Sequence, residues 1–311
     1  MIESRDHSLL MQGIDGGNML AYLAALGTLR ILTDALDMPV QMSWSASGGT
    51  WRPWLYTPSP IDSQHIIQAL TGAFTASRNH PDAHPCMAWN KWDAKAVIQD
   101  RRIAFETARS AMVGGRAGCD WLSAIGSDLL QSDKEAIDTP LRASRADYLL
   151  GNLRTILTKT TGDHLQRSLF VPWTYDDPLD NASLKFDPSE DRRHALQWSA
   201  PTKDKDRKRR GNMLGANRLA MEALPLFTSV LHGQRLATTA CSRPNEDWQI
   251  TWGLWSDPIS LDTTRSLLTL KDLSGPLKSA WMRAFGLCAV FRCHRQTIGK
   301  TRVFTPACCI A

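Results

Sequence analysis

The stretch from Asn18 to Leu36 (NMLAYLAALGTLRILTDAL) constrains this chain more than any other. Leu20, Leu23, Ala24, Gly27, Ile31 and Leu32 recur at helical spacing, which predicts a helix with an apolar face. Ala21, Ala24, Ala25 and Gly27 are small, so another element must pack unusually close to that helix. Asp15-Gly16-Gly17 is a turn signal, and the Asn18 side chain supplies the oxygen that caps a first helical turn. Ser8 to Ile14 (SLLMQGI) reads as a short strand ahead of the turn.

The rest of the chain alternates irregularly between helix and strand patterns. Val40 to Trp44 and Thr50 to Tyr56 predict a hairpin around Ser47-Gly48-Gly49. Helices are predicted over Asp62 to Ala76, Asp93 to Met112, Trp121 to Leu130, Arg145 to Lys159 and Gly215 to Leu224, the last stopped before Pro225. Val171 to Ser189, rich in Pro and Asp, predicts irregular backbone. His194 to Trp198, Leu236 to Ala240 and Trp248 to Trp255 read as strands. Two helices (Leu261 to Leu270 and Leu277 to Phe285) then precede closing strands over Leu287 to Arg292 and Arg302 to Thr305. No βαβ rhythm appears, so the expected class is α+β, with mixed, mostly antiparallel strands, packed helices and no Rossmann-type sheet. The expected organisation is one domain over 1–311, with a soft boundary near 171–190 and a basic surface loop at 201–213.

At 311 residues with 43% hydrophobic and 22% charged, the chain has room for a full core and is not of disordered composition. Seven cysteines in this length do not make a disulfide scaffold. No stretch approaches the roughly 18 apolar residues of a membrane span. MIESRDHSLL has charges before any apolar run, so no secretory signal is expected and the expected location is the cytoplasm.

Charge is unevenly placed within a formal net of +5. Lys203 to Arg210 (KDKDRKRR) holds six bases and two acids, while Pro276 to Ala311 holds six bases and no acid. Two separate basic segments point to a polyanionic partner. Between Asp176 and Asp191 six acids stand against Lys185 alone.

Chemical motifs are scarce. Cys288, Cys293, His294, Cys308 and Cys309 lack the paired C-x-x-C knuckles of a zinc site, so no metal or other cofactor is expected. Asp176, Asp177, Asp180, Asp187, Glu190 and Asp191, with Lys185 and His194 nearby, could gather a divalent cation for phosphodiester cleavage, although such segments are more often turns. No G-x-S-x-G elbow is present, and the Asp15-Gly16-Gly17-Asn18 turn lacks the lysine and spacing of a P-loop. Twelve Trp stand against four Tyr. Most such rings belong to cores, and Arg52-Pro53-Trp54 is the best candidate for an exposed exception, where a ring stacks a base or anchors a partner.

Gly13 to Arg30 (GIDGGNMLAYLAALGTLR) resembles the opening of large-subunit-like proteins of type I-G (formerly I-U) CRISPR systems, and of a related group described as an extension of the CRISPR helicase-nuclease subunit. Trp44 to Leu55 resembles the element that follows, and Lys185 to Trp198, Gly215 to Phe227 and Ser260 to Leu268 continue the likeness in order. A large subunit usually carries more helical mass than this chain. The resemblance implies a non-catalytic subunit of a Cascade-type surveillance complex, in which base pairing reads sequence and protein reads backbone shape. The implied partners are guide RNA and/or target DNA and the other subunits of the effector complex. The residues themselves supply the candidate contacts: Lys203, Lys205, Arg207, Lys208, Arg209 and Arg210 on the basic loop, Asn217 and Arg218 after it, and Arg292, Arg295, Lys300 and Arg302 as a second basic patch. The alternatives are a metal-dependent nuclease built on the 176–191 carboxylates and a scaffold that binds only protein.

Overall fold

The computed structural model describes residues 7–76, 84, 106, 110, 116–125, 139–143, 146–178, 182–190, 211–233, 235–244, 247–270, 273, 279–298 and 301–311. It begins with β1 (Ser8–Leu10) and helix α1 (Met19–Ala35). Asn18 caps α1, its Oδ1 accepting from the Ala21 N–H at 3.1 Å. The strand ends before the expected Ile14 because the backbone turns inward, where the Gly13 N–H donates to the Leu169 carbonyl at 2.9 Å. The hairpin forms as predicted from β2 (Gln41–Ser47) and β3 (Thr50–Tyr56). Gly48 and Gly49 take φ values of +59° and +78°, the left-handed pair that a tight two-residue hairpin turn demands. Helix α2 (Ser63–Thr75) follows, capped by Asp62.

Helix α3 (Arg116–Ile125) starts earlier than the expected Trp121, and α4 (Ala146–Lys159) lies where the pattern predicts it. Helix α5 (Gly162–Phe170) carries no expectation from periodicity. Its start is held by Thr161, whose N–H donates to His164 Nδ1 at 3.1 Å. Helix α6 (Leu214–Ala223) is buried along its whole length and is the element that the small face of α1 requires. A Cβ on Gly27 would stand 1.8 Å from the Leu219 carbonyl oxygen, so the two helices meet backbone to backbone.

The remaining elements are β4 (Ser229–His232), β5 (Arg235–Thr238), β6 (Cys241–Ser242), β7 (Trp248–Trp255), β8 (Ile259–Ser260), α7 (Leu261–Leu268), α8 (Ser279–Ala284), β9 (Leu287–Ile298), β10 (Thr301–Phe304) and β11 (Cys308–Cys309). One sheet runs β1-β3-β2-β8, a second β10-β9-β7-β6 with β11 on β9, and β4 pairs with β5 alone. Every pairing among the described strands is antiparallel, and the fold is α+β. Tyr22 of α1 stacks on Trp44 of β2 and on Trp252 of β7, so α1 is sandwiched between α6 and both larger sheets. That position explains why it is buried all round from Met19 to Leu32 rather than on one face.

Trp44, Trp252 and Trp255 are core residues, and two of them satisfy their indole N–H on backbone: Trp252 donates to Gly16 at 2.9 Å and Trp255 to Met42 at 2.6 Å. Arg52-Pro53-Trp54 is not the exposed exception. Pro53 is buried, Arg52 donates to the Ile14 carbonyl at 2.6 Å, and half-buried Trp54 donates to Ser45 Oγ at 2.9 Å.

The described residues of the acidic segment run without strands, as expected, but are woven into the core. Ala182, Leu184 and Phe186 are buried, and Asn152 of α4 donates to the Ser183 carbonyl at 2.9 Å. Of the predicted surface loop at 201–213, Gly211 to Met213 are buried, and 201–210 lie outside the described residues. The predicted strand at His194 to Trp198 also lies outside them, as does the predicted helix from Asp93 to Met112 apart from helical Glu106 and Ser110. Among the described residues no helix is long and apolar enough to cross a membrane.

Candidate functional site

Three polar constellations stand out, and two of them are internal. In the acidic segment the three buried carboxylates, Asp177, Asp187 and Glu190, each hold their own donors. Asp177 accepts from Arg167 Nη2 at 2.7 Å and from the Leu214 N–H at 2.8 Å, so it closes the N-terminus of α6. Asp187 accepts from Asn18 Nδ2 and Tyr175 Oη, both at 2.7 Å, and from Ser189. Glu190 lies beneath them, bonded to Ser183 Oγ at 2.5 Å, the Met213 N–H at 3.1 Å and Asn217 Nδ2 at 3.0 Å. Burial, with Asp187 adding to it, pushes the Glu190 carboxyl up to about 8. Among the described residues no group of three or more His, Cys, Asp or Glu is arranged to hold a metal ion. Asp176 is exposed, and Asp180 and Asp191 lie outside the described residues.

The second constellation joins α1, α6 and His84. Glu222 accepts from Arg30 Nη1 at 3.0 Å, from Arg218 Nη1 and from His84 Nε2, the last at 3.3 Å. His84 sets its ring edge-on to Trp121, with centroids 4.6 Å apart, and the Arg218 guanidinium lies 3.9 Å over the Phe74 ring. Burial alone would raise the Glu222 carboxyl, but Arg218, His84 and Arg30 together hold it far below the usual range. Burial lowers His84 despite the pull of Glu222. Two guanidinium groups thus share one carboxylate, and Arg218 Nη2 has no hydrogen-bond partner.

This corrects the expectation for Asn217 and Arg218. Both are buried, at 0% and 1% exposed. Asn217 bonds Glu190 and accepts the Leu184 N–H at 2.8 Å, and Arg218 bonds Glu222. Helix α6 is covered on every side, so the polar residues of its amphipathic pattern turn inward onto buried carboxylates.

The third constellation lies on the second sheet. Trp248 pairs with Arg295 on β9, and Arg295 with Phe304 on β10. On the other side Arg243, just beyond β6, sits over the Trp248 ring at 5.7 Å. Directly opposed residues share a sheet face, so Trp248, Arg295 and Phe304 form one row across three strands, which Arg243 joins from just beyond β6. Arg302 pairs with Thr297, two residues beyond Arg295, and so lies on the same face one rung further.

The second basic patch is therefore not built as predicted. Arg292 and Arg295, three apart on one strand, face opposite sides of the sheet. Arg292 donates to Thr251 Oγ1 at 3.0 Å and to the Leu273 carbonyl at 3.4 Å. Arg295 is only 8% exposed and donates to the Thr139 and Arg142 carbonyls at 2.8 and 3.2 Å, so it is a structural floor of the row rather than a surface contact. Arg302 is half-buried. Lys203, Lys205, Arg207, Lys208, Arg209, Arg210 and Lys300 lie outside the described residues. Arg243 carries no expectation from the sequence, and its place over Trp248 follows only from strand pairing.

No known protein family matches the chain, and no curated protein is similar to it.

Proposed function

We propose that this chain is a non-catalytic subunit of a type I CRISPR RNA-guided surveillance complex in the cytoplasm, touching the backbone of guide RNA and/or target DNA through basic surfaces. The observation that supports it best is half-buried Trp248 with Arg243 over its ring and Arg302 on the same sheet face, two strands away and one rung further along. Arg302 belongs to a C-terminal stretch, Pro276 to Ala311, that has no acidic residue to oppose a phosphate. The resemblance carried by Gly13 to Arg30 adds the complex. Its strand, turn and Asn-capped helix form the central element of the fold. The acidic segment lends little to a nuclease reading, because Asp177, Asp187 and Glu190 are each engaged by separate internal donors.

The test is fluorescence anisotropy of the purified chain with single-stranded RNA, single-stranded DNA and duplex DNA at two salt concentrations. Binding that weakens steeply with salt is the expected result. No binding at low salt, with stable co-purification of other subunits, would replace this reading with a protein-only scaffold. Strand cleavage in Mg²⁺ or Mn²⁺ that is lost in Asp187→Ala would replace it with the nuclease.

A further inference from the structure

We propose that Trp248 is a stacking platform for one unpaired nucleobase, with Arg243 closing over the base and Arg302 meeting a neighbouring phosphate. The inference rests on the nucleic-acid reading above and narrows it to single strands.

The burial gradient along β7 is the first argument. On the face that Trp248 shares, Ile250, Trp252 and Leu254 are at most 2% exposed, whereas Trp248 at the strand's start is only half-buried. The same strand that anchors the core thus presents its first ring to solvent. Rigid attachment to a central strand is what a stacking surface needs, because the ring is already ordered before a base arrives.

Spacing is the second argument. Arg243 is exposed, and its guanidinium stands 5.7 Å from the ring centroid, at the outer edge of a cation–π contact. A base sandwiched between ring and guanidinium needs about 7 Å, twice the ~3.4 Å spacing of stacked bases. Arg243 therefore has to lift by only about 1 Å on its flexible stem to admit a base. Arg302 lies two strands across and one rung along, roughly 12 Å away, within reach of the backbone of a nearby nucleotide. Arg243 and Arg302 also hold contacts within the chain, for which a strand would compete.

Duplex fits this surface poorly. Paired bases keep both faces stacked on their neighbours, so a ring standing on a sheet meets only sugar and phosphate. Exposed Asp247, beside Trp248, further disfavours a phosphate at the ring and leaves that place to an uncharged base.

The experiment uses the full chain and compares a short labelled single strand with the same strand made abasic, which keeps every phosphate. The intact strand is expected to bind about ten-fold tighter. Trp248→Ala should abolish that difference, Trp248→Phe should keep most of it, and neither should change duplex affinity. A thermal melt of each variant checks folding, and the abasic comparison on the unmodified chain needs no variant at all. Equal binding of intact and abasic strands would overturn the stacking site while leaving the nucleic-acid reading intact. Failure of the unmodified chain to bind any strand would remove that reading, and the site with it.

Discussion

The Leu219 carbonyl oxygen stands 1.8 Å from where a Cβ on Gly27 would be, so the contact between α1 and α6 tolerates no side chain at that position. The obstacle is backbone on a buried helix and cannot rotate away. Gly27→Ala must therefore push the helices apart and lose packing along both.

Gly27→Ala should destabilise the fold by at least about 3 kcal/mol, the upper end of ordinary overpacking. Gly151→Ala in α4 is the control, since a Cβ there meets nothing within 4 Å. It should stabilise by up to about 1 kcal/mol through better helix propensity. Urea denaturation of the two variants checks both, and an unaffected Gly27→Ala would mean that the helices do not pack this closely.

Glu222 is the only described acid bonded to Arg30 and Arg218, and all three are buried. Glu222→Gln removes the charge but almost no volume, leaving two guanidinium groups without compensation. The expected cost is about 3–5 kcal/mol, as for other buried pairs broken from one side. Pairing Glu222→Gln with Arg218→Met should recover part of that loss. The double-mutant cycle in urea measures it, and strict additivity would show that the two groups do not interact.

What was legible in the sequence was local. The Asn18 cap, the small face of the following helix and the Gly48-Gly49 turn each act within a few residues, and all appear where predicted. Helix α5 was missed because its start depends on Thr161 and His164 rather than on apolar periodicity. By sequence Arg218 reads as an exposed contact at the start of a short helix. Only the tertiary placement of α6, with Arg30 reaching Glu222 from 192 residues away, shows that it is internal. The basic row has the same origin: Trp248 and Arg302 share a face only through strand register, and Arg243 joins them from just beyond β6.

The buried carboxyls give stability a pH signature with two limbs. Glu190 is raised to about 8 from an ordinary 4.5, so its contribution is whole below 4.5 and is lost as pH rises through 8. Glu222 and His84 are lowered, so theirs is present on the neutral side and lost as pH falls. Glu190→Gln, which stays uncharged, should flatten the alkaline limb alone and melt higher than the unmodified chain above about pH 8. Thermal melts across pH check it. An offset of constant size at every pH would mean that Glu190 is not protonated in the fold.

The basic run enters the described structure at Gly211, where the chain is pinned to the acidic segment. The Gly211 N–H donates to the Tyr175 carbonyl at 2.8 Å, and the Asn212 N–H to that of Asp177 at 2.7 Å. Those bonds are made by backbone atoms of Gly211 and Asn212, so they need no side chain from Lys203 to Arg210. Replacing Lys203, Lys205, Arg207, Lys208, Arg209 and Arg210 with Gln should leave the melting temperature unchanged. The six replacements remove six positive charges and leave Asp204 and Asp206 in place. At ~0.7 per single-strand phosphate, the slope of log affinity against log salt should fall by about 4 if each basic side chain meets one phosphate. Affinity should drop about equally for all sequences, because phosphate contacts carry no base information. Anisotropy titrations at several salt concentrations measure the slope. An unchanged slope would exclude the run from the contact and leave the Trp248 face to carry it.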